Sequence, residues 1–283
     1  MKNFQVKILG ITQDGGYPHA GCKRDCCLNL WDSTQKKELI ASIAIIDHSS
    51  KNFWLIDITP DFKNQFNMIP SNYCLSGIFL THAHLGHYIG LLELGKEVMN
   101  LIDIPVYSMP RMKSFIENNS PINFLIENNN IRSLGLISNK SVILNRKISV
   151  IPFLVPHRNE LSETVGYKIK SKNKNIIYLP DIDSWDNMDE DIMDLILDND
   201  VLFIDGTFYD NDELLNRDMS KIPHPTVKDS FEKFKFLDKN NRKKIFFTHL
   251  NHTNNLLRPD SQEFNEVLIN GYNIAKTNQC IDL

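Results

Sequence analysis

The chain has 283 residues, 42% of them hydrophobic and 23% charged, the make-up of an ordinary globular protein. A net charge of −4 and the lack of any long Lys/Arg run argue against nucleic-acid binding. No apolar stretch approaches the roughly 18 residues a membrane span needs, and Met1-Lys-Asn-Phe-Gln-Val-Lys is not a secretory signal, so five cysteines predict metal binding ahead of disulfides in a reduced, cytoplasmic protein.

Phe4 to Thr12 alternates as a first strand, and Gln13-Asp14-Gly15-Gly16 reads as a turn. The loop that follows carries His19, Cys22, Cys26 and Cys27, thiolates spaced to wrap a tetrahedral zinc; free loop cysteines are the alternative. Ser42 to Asp47 and Asn52 to Ile58 read as paired strands joined by a polar turn at His48 to Lys51, with His48 on the surface. Asp57 either braces a metal ligand or caps a helix over Pro60 to Met68.

Ser76 to Leu80 reads as a buried strand, and Thr81-His-Ala-His-Leu-Gly-His87 follows it. Histidines packed this densely at a strand end converge in one small volume, and neutral imidazole is the commonest nitrogen ligand for zinc. Tyr88 to Asn100 has helical spacing despite two glycines. Ile104 to Ser108 predicts a strand, Arg111 to Asn118 a helix, and Glu127 to Asn130 a polar connector. Leu134 to Ile137, Ser141 to Ile143 and Ile148 to Pro156 are further strands, the last delivering His157. Thr164 to Lys170 and Asn175 to Leu179 read as a hairpin ended by Pro180-Asp181, and Asp189 to Leu197 as an acidic helix. Val201 to Asp205 is the next strand. His224 lies on a proline-flanked loop entering a helix that carries Val227, Phe231 and Phe234. Lys244 to Thr248 delivers His249 and His252, and a last helix runs near Ser261 to Ile269. No internal repeat is visible, and the mixture predicts two mixed sheets face to face, covered by helices.

The order H-x-H-x-G-H, His157, Asp181, His249, each at a strand end, resembles the metallo-β-lactamase superfamily. The resemblance implies the α/β (α+β) class and an αββα sandwich in a single domain over 1–283, with a zinc-binding loop at 19–27. By the family pattern His82, His84 and His157 hold one metal. His87, Asp181 and His249 hold a second, with Asp181 bridging. The family motif carries an aspartate where this chain has Gly86. The second metal is therefore expected to be weak, absent or completed by water or substrate. Cys22, Cys26, Cys27 and His252 resemble the structural zinc of the cyclic phosphodiesterase of the carbon–phosphorus lyase pathway and of PqqB-like proteins. Q-D-G-G-Y-P-H, T-H-A-H-L-G-H-Y-I-G-L and P-V-Y-S-M-P-R-M are similar to the PqqB-like (pyrroloquinoline quinone biosynthesis protein B) branch.

The resemblance implies a metal-dependent hydrolase acting on a small anionic phosphodiester or ester through activated water. It implies zinc in the cysteine site, which is closed and so stabilises the fold, and one or two active-site metals, with zinc first and iron or manganese as alternatives. Asp181 would bridge the metals or orient the nucleophile. His224 would bind substrate or protonate the leaving group; a plain loop histidine is the competing reading. Arg158, beside His157, would hold a phosphate or carboxylate. His19 is left near the active-site mouth, and Cys74 and Cys280 are expected as small buried residues. Iron-dependent oxidation in cofactor or natural-product biosynthesis is the second implied chemistry, with Gly86 leaving a position open. A non-catalytic metal or ligand carrier is the third. A homodimer, with no nucleic-acid or membrane partner, completes the expectation.

Overall fold

Strand and helix boundaries follow from which faces must be buried. Ser42 to Asp47 is buried at every position because it has protein on both sides. Ile43 and Ile45 point into a core shared with the second sheet, while Ala44 and Ile46 pack against helices. The computed structural model describes residues 3–32, 37–214 and 222–283. Among these, strands β1 (Phe4–Gly10), β2 (Ser42–Asp47), β3 (Asn52–Ile56), β4 (Cys74–Phe79), β5 (Ile104–Ser108) and β6 (Ile131–Gly135) build the first sheet. The second holds β7 (Val142–Ile143), β8 (Ser149–Leu154), β9 (Val165–Lys170), β10 (Asn175–Leu179), β11 (Val201–Asp205), β12 (Ile245–Thr248) and β13 (Asn273–Ile274). The chain then returns to the first sheet as β14 (Cys280–Asp282), beside β1.

The two sheets share one pairing pattern. From the β14 edge, the first has three antiparallel pairings and then three parallel ones. From the β7 edge, the second repeats that order. The consequence is directional. β1, β3 and β4 run the same way in one sheet, as do β8, β10, β11 and β12 in the other. The loops leaving their C-terminal ends therefore gather at one edge of each sheet, where open α/β sheets usually bind ligands. Tyr167, fully buried, donates its hydroxyl to the Leu80 carbonyl at 2.6 Å, and Val165 N donates to Thr81 O at 3.1 Å. These bonds tie the second sheet to the root of the histidine loop.

Helices Pro110–Asn118 and Ile122–Glu127 bury Met112, Ile116 and Ile122 against the first sheet. Ile192–Asp198, Val227–Lys233 and Gln262–Ile269 bury Leu195, Val227 and Val267 with the second sheet's apolar residues. The result is a two-sheet sandwich covered by helices, the αββα arrangement expected from the sequence.

Several expectations need correcting. The helix expected over Tyr88 to Asn100 is a single turn, Leu85–Tyr88, followed by a 3-10 helix, Ile89–Leu94, in a stretch broken by Gly90 and Gly95. The strand expected over Leu134 to Ile137 begins earlier, at Ile131, because it pairs with β5 from Ile104 onward. Cys74 and Cys280 are exposed, since both sit at strand ends. His48 is half-buried between Tyr73 Oη, at 2.8 Å, and Gln5.

Candidate metal centre

Each clustered side chain leaves the end of a strand. Thr81 to His87 follows β4, His157 follows β8, Asp181 follows β10, Asp205 ends β11 and His249 follows β12. His82 Nε2 lies 2.8 Å from His84 Nδ1 and 3.3 Å from Asp181 Oδ2. His157 Nε2 lies 3.3 Å from His84 Nδ1 and 3.2 Å from Asp181 Oδ1. Donor atoms about 2.1 Å from a tetrahedral metal stand about 3.4 Å apart, so these four residues could hold one ion together.

The other nitrogen of most of these rings is already engaged, by a carboxylate or a hydroxyl. His82 Nδ1–H donates to Thr81 Oγ1 at 3.0 Å, His157 Nδ1–H to Asp183 Oδ1 at 2.7 Å, His87 Nδ1–H to Asp57 Oδ2 at 2.7 Å and His249 Nδ1–H to Thr207 Oγ1 at 2.9 Å. Each ring then turns Nε2 inward, the arrangement metal-ligating histidines adopt. Asp57 therefore braces His87 and caps no helix; Asp61 precedes the short helix Phe62–Phe66. It also accepts the Thr81 backbone N–H at 2.8 Å and the Thr81 hydroxyl. Asp57 and His249 both sit at positive φ, 63° and 61°. Such backbone costs on the order of 1–3 kcal/mol and persists where surrounding structure dictates it.

Burial lowers His84 to about 4, so the ring is neutral near pH 7. His82 is likewise pushed down by burial and by His87. Burial raises Asp181, but His157, His249 and His82 outweigh it and hold the carboxyl well below its usual range. Burial lowers His224, and the Asp205 carboxylate more than reverses this, raising it to about 9.

A second group lies beside the first. His87 Nε2 and His249 Nε2 stand 3.8 and 3.7 Å from Asp181 Oδ2, so Asp181 lies between the two groups. Asp14, in the turn after β1, completes the group: its Oδ1 is 3.3 Å from His87 Nε2 and 3.7 Å from His249 Nε2. Its signal was indirect. A glycine replaces the motif aspartate at 86, and only folding shows what fills the space. Asp14 thus stands near the place of the carboxylate that the motif lacks at Gly86.

His224 donates Nδ1–H to Asp205 at 2.8 Å, and its ring centroid is 5.6 Å from that of His157. Its Nε2 is buried without a hydrogen-bond partner. Arg158 is half-buried, its Nε unpartnered, and its charge is felt by both His84 and His224.

Cys22, Cys26, Cys27 and His252 form a separate cluster. The Sγ–Sγ separations are 3.8 Å for Cys22–Cys26 and Cys26–Cys27, and His252 Nδ1 is 3.5 and 3.4 Å from Cys26 and Cys27. Tetrahedral zinc with sulfur ligands near 2.3 Å requires separations of about 3.8 Å. Burial pushes the Cys27 thiol up to about 12, so a thiolate there calls for a cation. His19 is not among these four donors; its ring lies against Gly15, beside Asp14. Its ring lies on His252 with centroids 4.4 Å apart, and its backbone N–H donates to Cys27 Sγ. A cavity of about 820 Å³ lies behind this cluster, lined by Tyr17, Cys26, Leu30, Leu256 and Phe264, away from the histidines.

A family model described as "Beta-lactamase superfamily domain" matches residues 53–250. The chain belongs to the β-lactamase superfamily. It is 22% identical over 314 residues to Coenzyme PQQ synthesis protein B of Methylorubrum extorquens (strain PA1), covering 99% of this chain and 100% of that protein. The crystal structure of Zn(2+)-bound PqqB from Methylobacterium extorquens superposes with a TM-score of 0.83 at 23% identity, over 99% of this chain and 100% of that one. A diphosphatase from the PhnP family matches with a TM-score of 0.70 at 21% identity, over 99% and 96%. At these identities the likeness establishes the superfamily fold. Among the described residues, no helix is long and apolar enough to cross a membrane.

Proposed function

We propose that the protein is a metal-dependent hydrolase of small anionic phosphodiesters or esters. One observation carries this reading: two donor groups meet at Asp181, and the buried Nε2 atoms of His87, His249 and His224 face inward without hydrogen-bond partners. A divalent ion bound there supplies Lewis acidity that activates water and polarises the scissile group. Within that arrangement His82, His84, His157 and Asp181 hold one ion, and Asp181 also orients the attacking water. His224, with Nδ1–H donated to Asp205, presents Nε2–H to the leaving oxygen. Arg158 attracts the substrate's anionic group from the His84 side. Cys22, Cys26, Cys27 and His252 hold a zinc that stabilises the loops around the site.

The full-length likeness to Coenzyme PQQ synthesis protein B supports a second reading, a step in cofactor synthesis, for which the PqqB-like sequence resemblance implies iron-dependent oxidation at the same centre. Hydrolysis of bis(4-nitrophenyl) phosphate by protein reloaded with zinc or manganese, in anaerobic buffer, separates the two. Turnover abolished by His84→Ala is expected. Turnover that appears only with iron and dioxygen would overturn the hydrolase reading.

A further inference from the structure

We infer that Asp14 is the carboxylate ligand of the second metal position, delivered from the loop after β1 in place of the motif aspartate missing at Gly86. The inference rests on the metal-centre reading above and is independent of which reaction the centre performs.

Three observations converge on Asp14. First, the vacancy and the carboxylate coincide. A Cβ added at Gly86 would lie 2.5 Å from Asp14 Oδ1, 2.7 Å from its Cγ and 2.8 Å from its Cα. Real Cβ atoms do not approach backbone this closely. The loop after β1 can lie against the histidine loop only because residue 86 has no side chain, so Gly86 and Asp14 are one exchange. A carboxylate attached at 86 and one reaching in from 14 compete for the same space.

Second, the contacts are those of shared coordination. His87 and His249 have each committed Nδ1–H elsewhere, to Asp57 and Thr207. Their Nε2 atoms face the oxygens of Asp14 and Asp181 at 3.3 to 3.8 Å, and both are buried without a hydrogen-bond partner. Carboxylate oxygens gathered this closely around imidazole nitrogens call for a cation between them, a proton or a metal ion, and two imidazoles with two carboxylates are a donor set that suits a metal. The spacing is close to the roughly 3.4 Å edge of a tetrahedral nitrogen–oxygen site.

Third, Asp14 is placed by backbone rather than by its own side-chain torsions. Leu250 N donates to Ile11 O at 2.7 Å, Gln13 N to Leu250 O at 3.0 Å, and Gly16 N to Gln13 O at 2.9 Å. The turn is thus zipped to the loop that carries His249, and the two ligands move as one piece. A carboxylate needed only for solubility requires no such anchoring.

The test is metal stoichiometry and affinity on full-length protein, stripped by chelation and reloaded with Mn(II). Equivalents are counted by elemental analysis, and the electron paramagnetic resonance spectrum reports whether two ions are spin-coupled. Wild type should take up two Mn(II) beyond the cysteine cluster and give a coupled signal. Asp14→Asn, which keeps size and polarity, should bind the second ion at least tenfold more weakly and give an uncoupled signal, with the first unchanged. Gly86→Ala, which leaves the carboxylate in the chain but displaces it, should do the same. His87→Ala should lose this same ion, and His84→Ala the other. An Asp14→Asn protein that holds its second ion within about threefold of wild type overturns the assignment while leaving the metal centre intact. A wild type with no metal beyond the cysteine cluster overturns both.

Discussion

The cysteine cluster and the histidine–aspartate cluster share two loops, yet they are opposite in design. One loop carries Asp14 and then Cys22, Cys26 and Cys27; the other carries His249 and then His252. In the cysteine cluster four donor atoms gather, four of their separations being 3.4 to 3.8 Å, enough to fill a tetrahedral ion's coordination by themselves. In the other, Asp181 is shared between two groups, and inward nitrogens on His87, His249 and His224 are left without partners. A saturated site has nothing left to offer a substrate and can only add stability. An unsaturated one at the end of rigid strands keeps positions for chemistry. Since two loops are common to both, stability on one side is expected to influence ligand geometry on the other.

That contrast can be broken in four ways, beginning with the largest effect. Cys26→Ser should release the zinc proposed for the cysteine cluster and lower the thermal midpoint by about 10 °C or more, because binding energy at such a site is folding energy. It should also weaken metal uptake at Asp14 and His249. Calorimetry alongside metal counting checks this, and intact uptake in a destabilised protein would uncouple the loops. His224→Asn should cut kcat by about 10²–10⁴ with metal content unchanged. The loss should be greater for alkyl than for 4-nitrophenyl leaving groups, since only a poor leaving group needs the proton. Equal losses would make His224 a binding residue instead. Asp57→Asn removes the anion beneath His87 and should cost about 10–100-fold in metal affinity at the second position, read by competition with a chelator.

The smallest effect concerns Glu213, which accepts the Thr253 hydroxyl at 2.8 Å next to His252. Burial raises its carboxyl from 4.5 to about 7. Between those values the folded state holds a proton that the unfolded chain has lost, so this residue's contribution to stability declines as pH rises. Glu213→Gln should therefore gain on wild type between pH 4.5 and 7 and hold a constant advantage above that. Urea midpoints at pH 5 and pH 8 measure it; a difference that does not change with pH would show that the carboxyl ionises normally.

How much of this was legible varied with how the residues were delivered. Thr81 to His87 announced itself because three imidazoles share one turn of chain, and the cysteines because three thiols fall within six residues. His157, Asp181 and His249 were readable as single polar residues at the ends of apolar strands. Their gathering follows from strand direction, since all of these strands end at the same edge. Asp57 stayed ambiguous between brace and cap until its 2.7 Å bond to His87 decided it. His19 has a chemically plausible place beside three cysteines, but its ring is used to pack His252. Cys74 and Cys280 illustrate the reverse error, in which an average tendency to be buried gave way to position at a strand end.

The amino-acid order by itself determined the αββα class and most of the donor set, because strand periodicity and metal chemistry are local properties written in spacing. It also determined that residue 86 carries no side chain. Only the tertiary structure decided what that means. Carboxylates are interchangeable wherever they reach the same point in space, and the distance in sequence between Asp14 and Gly86 carries no record of their contact. A missing ligand in a motif is a statement about one loop, whereas a missing ligand in a site is a statement about every loop that meets there.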